Sequence, residues 1–168
     1  MNLKDMLSYA IESLKKKGIE KVQGVIGGSE KKELNVETGK ISLFRTTFQN
    51  YLNLYGIKDN KKSSISINKI DKESIDISIE KLVENIKTSE IDESNSIAEK
   101  QSYEEFTTPS LNPDLDSMYN RLHEFNHYVK QKHKTIILEA VNLDHIKSKS
   151  YLMNSNGLDF LVNKGYYN

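Results

Sequence analysis

Hydrophobic and polar residues alternate most clearly in residues 33–43, which read Glu-Leu-Asn-Val-Glu-Thr-Gly-Lys-Ile-Ser-Leu. Leu34 and Val36 precede a turn, and Ile41 and Leu43 follow it. A period of two predicts half-buried strands. Gly39, inside Glu37-Thr38-Gly39-Lys40, supplies the positive φ that a tight hairpin turn needs. Residues 51–57 are aromatic and branched, and residues 63–68 alternate Ser with Ile. The polar run Asp59-Asn60-Lys61-Lys62 reads as the turn between them. Residues 33–68 therefore predict an antiparallel meander of three or four strands, flanked by helices.

The flanks carry the other period. Leu3, Met6, Leu7, Ala10, Ile11 and Leu14 share one face of a helix over 3–17, which Gly18 stops. Residues 19–26 read as a strand, with Gly27-Gly28 as a turn after it. Asp71 caps a second helix over 72–88, with Ile75, Ile79, Leu82, Val83 and Ile86 inward. The period then fades, and the acidic, polar stretch 89–112 reads as a long surface connection. A third helix spans 114–132, with Leu115, Met118, Leu122, Phe125 and Val129 as its buried stripe. Residues 135–141 and 150–153 read as two strands, Asn154-Ser155-Asn156-Gly157 as a turn, and 160–162 as the start of an element that the end of the chain cuts short. The expected fold class is α/β in the α+β sense, a largely antiparallel sheet with about three helices in one domain over 1–168.

Composition narrows the function classes. Twenty-four Lys and Arg balance twenty-four Asp and Glu, so no net field draws in nucleic acid or an anionic membrane. Lys15-Lys16-Lys17 suits the end of a helix, where cations meet the dipole. Cysteine is absent, which removes disulfides, thiolate zinc sites and cysteine nucleophiles and agrees with a cytoplasmic location. No apolar run approaches the roughly 20 residues of a membrane span.

One stretch matches a catalytic motif. Residues 123–127 read His-Glu-Phe-Asn-His, the zincin pattern in which two His hold Zn²⁺ and Glu acts as base. His133 falls where a metzincin places its third ligand. At about 100° per residue, however, His123 and His127 lie roughly 120–160° from the apolar stripe, and Glu124 lies nearly opposite it. Lys130 stands where a metzincin has the Gly that turns the chain. The motif therefore reads as a solvated helix face first and as a metal site second.

The order of elements resembles the N-terminal domain of the TldD/PmbA family, also called modulators of DNA gyrase. The resemblance rests on the opening helix, the hairpin at Leu34–Ile41, the strand and small-residue segment of 51–66, the helix over 72–87 and the Asn154–Gly157 turn. It covers essentially the whole chain. One departure is the strand after the hairpin, Asn50-Tyr51-Leu52-Asn53-Leu54-Tyr55-Gly56, which lacks the Arg often found there. The resemblance implies a two-domain protein of more than twice this length. It also implies a metallopeptidase whose zinc is held in the C-terminal domain by a His-Glu-x-x-x-His helix and a later Cys. This chain has neither motif nor Cys, so the resemblance implies no cofactor here, zinc in the other domain, and an N-terminal portion of a longer protein or a truncated product.

Two readings follow. In the first, the chain is a non-catalytic domain shaping substrate access and dimer contacts in a TldD/PmbA-type zinc metallopeptidase. Its partners are then a homologous subunit, as homo- or heterodimer, and a peptide substrate, with no direct nucleic acid and no membrane. A sheet edge offers the peptide a docking surface. In the second, the chain is a small zinc hydrolase using His123, His127 and His133 with Glu124 as base. A gyrase-binding module is a third reading, resting on the family's older name alone.

Overall fold

The computed structural model describes residues 2–168. In chain order the elements are α1 (Leu3–Lys16), β1 (Lys21–Glu37), β2 (Lys40–Lys58), β3 (Lys61–Ile67), α2 (Lys72–Thr88), β4 (Glu104–Thr107), α3 (Leu115–Lys132), β5 (Ala140–Asn154) and β6 (Asp159–Tyr167). The six strands form one sheet in the order β3-β2-β1-β5-β6-β4. β2 and β3 run antiparallel, with Leu54 opposite Ile65. β4 and β6 run parallel, with Phe106 opposite Val162. The fold is α+β with a mixed sheet and three helices.

All three helices start where the capping residues dictate. Asn2 Oδ1 accepts from the Asp5 N–H at 2.9 Å, and the Asp5 carboxylate accepts from the Asn2 N–H in return, closing a capping box. Asp71 and Asp114 cap α2 and α3 in the same way, accepting from the N–H groups of Ser74 and Ser117 at 2.9 Å each. The Ser74 N–H holds the Asp71 carboxyl down at about 2.

By contacts the residues divide into two compact units. The first comprises 1–28, 49–107 and 149–163, and the second 29–48, 108–148 and 164–168. The first has a continuous apolar core. Leu7, Ala10, Ile11 and Leu14 of α1 meet Ile75, Ile79, Leu82 and Ile86 of α2, over Val22, Ile26, Leu52 and Leu54 of the sheet. Tyr9 and Asp76 join the two helices by an O–H···O bond of 2.5 Å. The second unit has a small core, with Met118 and Leu122 of α3 on Leu34 and Val36, and Ile41, Val141 and Leu143 around them.

Several sequence expectations need correction. Gly27-Gly28 is no turn, because β1 runs straight through it. A Cβ at Gly27 would lie 2.7 Å from the Lys149 carbonyl oxygen, so glycine serves close strand approach there. Residues 135–139 precede β5 rather than forming a strand, and 150–153 belong to that same strand. The stretch 89–112 is not only a surface connection. It contains β4, buries Ile97, and its Ala98 carbonyl accepts from Asn154 Nδ2 at 2.7 Å and Asn156 Nδ2 at 3.1 Å. Acidic residues hid this segment because its strand is exposed on the sheet rim. Phe125 is 47% exposed rather than buried. It projects about 40° off the line of Met118, Leu122 and Val129, on the flank it shares with Arg121 and Tyr128, outside the narrow apolar strip that α3 covers.

Candidate functional site

α3 carries the motif with catalytic precedent, and its side chains point apart. His123, Glu124, His127 and His133 are all exposed. The His123 ring stacks on Tyr119 at 6.2 Å, one turn back along the helix. His127 Nε2 pairs with Gln131 Nε2 at 2.8 Å. His133 is the C-cap, its N–H donating to the Val129 carbonyl at 2.8 Å, and its ring meets the edge of Tyr128. Among the described residues no three His, Cys, Asp or Glu side chains come together as a metal-binding group. Among the described residues His123, Glu124, His127 and His133 therefore do not converge as a zinc site requires.

The sheet-facing flank of α3 has a different task. Asn126 Nδ2 and Lys130 Nζ both donate to the Gly39 carbonyl oxygen at 2.7 Å. Gly39 itself sits at φ +77 beside Thr38 at φ +48, the left-handed pair that a two-residue hairpin turn requires. Lys130 therefore clamps the hairpin tip to the helix.

Sequence reasoning missed the charged cluster of the second unit. Glu33 is only 2% exposed. Its carboxylate pairs with Lys31 through one oxygen, and with Arg45 Nη2 at 2.8 Å through the other. Lys31 Nζ also reaches Asp144 Oδ2 at 3.1 Å. The Lys31 ammonium bonded to Glu33 holds that carboxyl below its usual range, and Glu33, then Asp144, hold Lys31 above its own. Alternation placed Glu33 on the solvent side, opposite Leu34. Nothing in a single sequence shows that Arg45 and Asp144 converge on it. Asp144 Oδ1 and Asn35 Oδ1 are buried without a partner.

On Leu143's side of β5, His145 is 1% exposed. Its Nε2 lies 2.6 Å from the Ser110 carbonyl oxygen, and its ring meets the Tyr167 ring at 4.9 Å, edge to face. The Tyr167 hydroxyl oxygen accepts from the Asp114 N–H at 3.1 Å. Beside it opens a cavity of about 400 Å³, lined by Asp114, Ser117, Met118, Arg121, Leu143 and Tyr167. In the first unit, a more open cavity of about 620 Å³ lies among Tyr51, Asn53, Ser66, Ile67, Ile77 and Lys81.

These elements, in this order, have solved counterparts. The fold is that of part of TldE. The TldE structure from Thermococcus kodakarensis superposes with a TM-score of 0.77 at 21% identity, over 95% of this chain and 37% of that one. A proposed modulator of DNA gyrase from Bacteroides thetaiotaomicron gives 0.74 at 17% identity, over 98% and 39%. Another from Thermotoga maritima gives 0.69 at 12% identity, over 99% and 39%. At these identities the likeness is one of fold, and the chain spans well under half the length of these proteins. No protein-family model matches the chain. No curated protein matches it either.

Proposed function

We propose that this chain is the N-terminal domain of a TldD/PmbA-type zinc metallopeptidase, and that it shapes substrate access and dimer contacts without performing the chemistry. One observation carries the reading: the likeness to TldE and the two proposed gyrase modulators takes in 95% to 99% of this chain but only 37% to 39% of theirs. On this reading the catalytic zinc belongs to a further part of the longer protein. The scattered histidines of α3 support the same division. β3 is an outer strand of the sheet, bridged at Lys61 to Ile91, and the rest of its outer edge suits an extended peptide added as a further strand. The location is cytoplasmic, with a homologous subunit as partner. No helix of the described residues is long and apolar enough to cross a membrane.

The test measures zinc after dialysis against a mild chelator, together with peptide cleavage. The chain alone is expected to hold far less than stoichiometric zinc and to cleave nothing. Cleavage is expected once a His-Glu-x-x-x-His domain is joined to it. Stoichiometric zinc in the chain alone, with cleavage abolished by Glu124→Gln, would restore the zincin reading.

A further inference from the structure

We infer that the cavity between α3, β5 and β6 in the second unit is a binding site for a carboxylate bearing an apolar substituent. This inference does not depend on the peptidase reading, since it concerns binding by this chain alone.

The cavity, about 400 Å³, falls in the size range of small-ligand sites. Its floor is apolar, with Met118 2% exposed and Leu143 half-buried beside it. Two donors border that floor. Arg121 has no ion-pair partner among the described residues. A guanidinium stays charged at every working pH and matches a carboxylate with a planar fork of N–H groups. The other donor is Tyr167. Its oxygen is already an acceptor for the Asp114 N–H, so its own proton is free for a ligand. Its ring is held in place by His145, which the Ser110 carbonyl fixes in turn. The hydroxyl is therefore positioned before any ligand arrives.

Asp114 is the one anion in the lining, and it sets the selectivity. Its two oxygens are engaged by the Ser117 N–H at 2.9 Å and the Ser117 hydroxyl at 2.7 Å. It remains ionised, its carboxyl held low by the Ser117 N–H. A second negative group on the ligand would meet it, so monocarboxylates are favoured over dicarboxylates. The apolar substituent lies over Met118 and Leu143 while the carboxylate faces Arg121 and Tyr167.

Two sources present this chemistry, the free C-terminus of a peptide ending in an apolar residue and a small free acid. Titration of the full chain, followed by NMR, separates them. The probes are N-acetyl-Ala-Ala-Phe, its C-terminal amide, 3-phenylpropionate and succinate. The peptide acid or 3-phenylpropionate is expected to bind with Kd on the order of 1 mM or tighter. Amidation and Arg121→Gln should each weaken binding about tenfold, with Arg121→Lys in between. Tyr167→Phe, which keeps the ring on His145, should weaken it by a smaller factor. Binding of the peptide acid identifies a peptide terminus as the source, and binding of 3-phenylpropionate alone identifies a free acid. Equal binding of acid and amide would overturn the inference. So would undiminished binding by Arg121→Gln, succinate binding as well as 3-phenylpropionate, or the absence of any shift with all four probes.

Discussion

The two units of this chain use apolar residues in opposite ways. In the first, α1, α2 and the strands below them together bring thirteen buried side chains into one cluster. In the second, four buried apolar side chains form the cluster. Glu33, Asp144 and His145 are buried there as well. Meanwhile Phe44, Phe48, Phe125, Tyr128, Ile136 and Ile137 of that unit lie exposed. Burial of apolar area is the main favourable term in folding. The first unit therefore has a folding core, and the second has a small core, a charged network and unburied apolar surface. The first unit exposes fewer large apolar side chains, at Ile77, Ile91, Tyr103 and Phe106, and exposed apolar surface, where contiguous, marks places that meet something else. The first unit thus holds most of the packed apolar core, and recognition by the second is a proposal for the variants below to test.

The largest expected effect tests the core half of that contrast. Leu82 is fully buried between α1, α2 and the sheet. Leu82→Ala should cost about 3–5 kcal/mol, since the packed surroundings cannot collapse into the space. Leu122 is buried in the smaller cluster, beside half-buried neighbours that can relax. Leu122→Ala should cost less, about 2–3 kcal/mol. Urea unfolding of both variants decides the matter. Equal costs would mean that the second unit is as tightly built as the first.

The next effect tests the charged network. Glu33→Gln leaves Lys31 and Arg45 facing a neutral amide. Glu33 is screened by the side chains of its own partners, and Arg45 is half-exposed. The cost should therefore fall between a surface pair and a fully buried one, about 2 kcal/mol. The pH dependence has a definite sign. A carboxyl whose folded pKa lies below its unfolded value adds stability that is fully present above the unfolded value, about 4.3. That stability is lost as the pH falls through the folded value. Glu33 is shifted in this direction, so acid should weaken the wild type below about pH 4, and Glu33→Gln should flatten that response. Asp71 in the first unit has the same sign, its contribution disappearing as the pH falls towards about 2. Asp71→Asn should therefore flatten the acid limb down towards about pH 2. A Glu33→Gln variant with unchanged acid unfolding would show that the pairs contribute nothing.

The readable parts of the sequence were those that local physics decides. Asp71 announced the second helix because an N-cap needs only a side chain and the N–H three residues on. Thr38-Gly39 announced the hairpin because the turn requires left-handed φ at two adjacent positions. What failed depended on distant residues. Gly27 looks like a turn glycine until Lys149, far along the chain, is seen against it. The strand of 104–107 is polar because it lies exposed on the rim, and its parallel partner is β6. The charged cluster joins residues 31, 33, 45 and 144, a convergence that no periodicity encodes. The cavity beside Arg121 draws on α3, β5 and β6, and only the position of Arg121 at the edge of the α3 stripe could have hinted at it.

The smallest expected effects lie on α3, where the recognition half of the contrast can be sharpened. Periodicity assigned Phe125 to the core, which would make Phe125→Ala cost about 3–5 kcal/mol. The ring is 47% exposed, and it belongs to neither buried cluster. Phe125→Ala should therefore stay near the surface range, about 0.5 kcal/mol. His127 is exposed and bonded only to Gln131, one turn along the same helix. His127→Ala should change stability by no more than about ±0.5 kcal/mol. Thermal unfolding of the two variants beside Leu122→Ala reads all three on one scale. If Phe125→Ala matched Leu122→Ala, the flank of α3 that carries Phe125 and Arg121 would be part of the core, and the division between a stabilising and a recognising unit would fail. If both surface variants stay within the range while Leu122→Ala does not, Phe125 is free of any folding duty. The apolar ring would then be available, next to Arg121, for contact with another molecule.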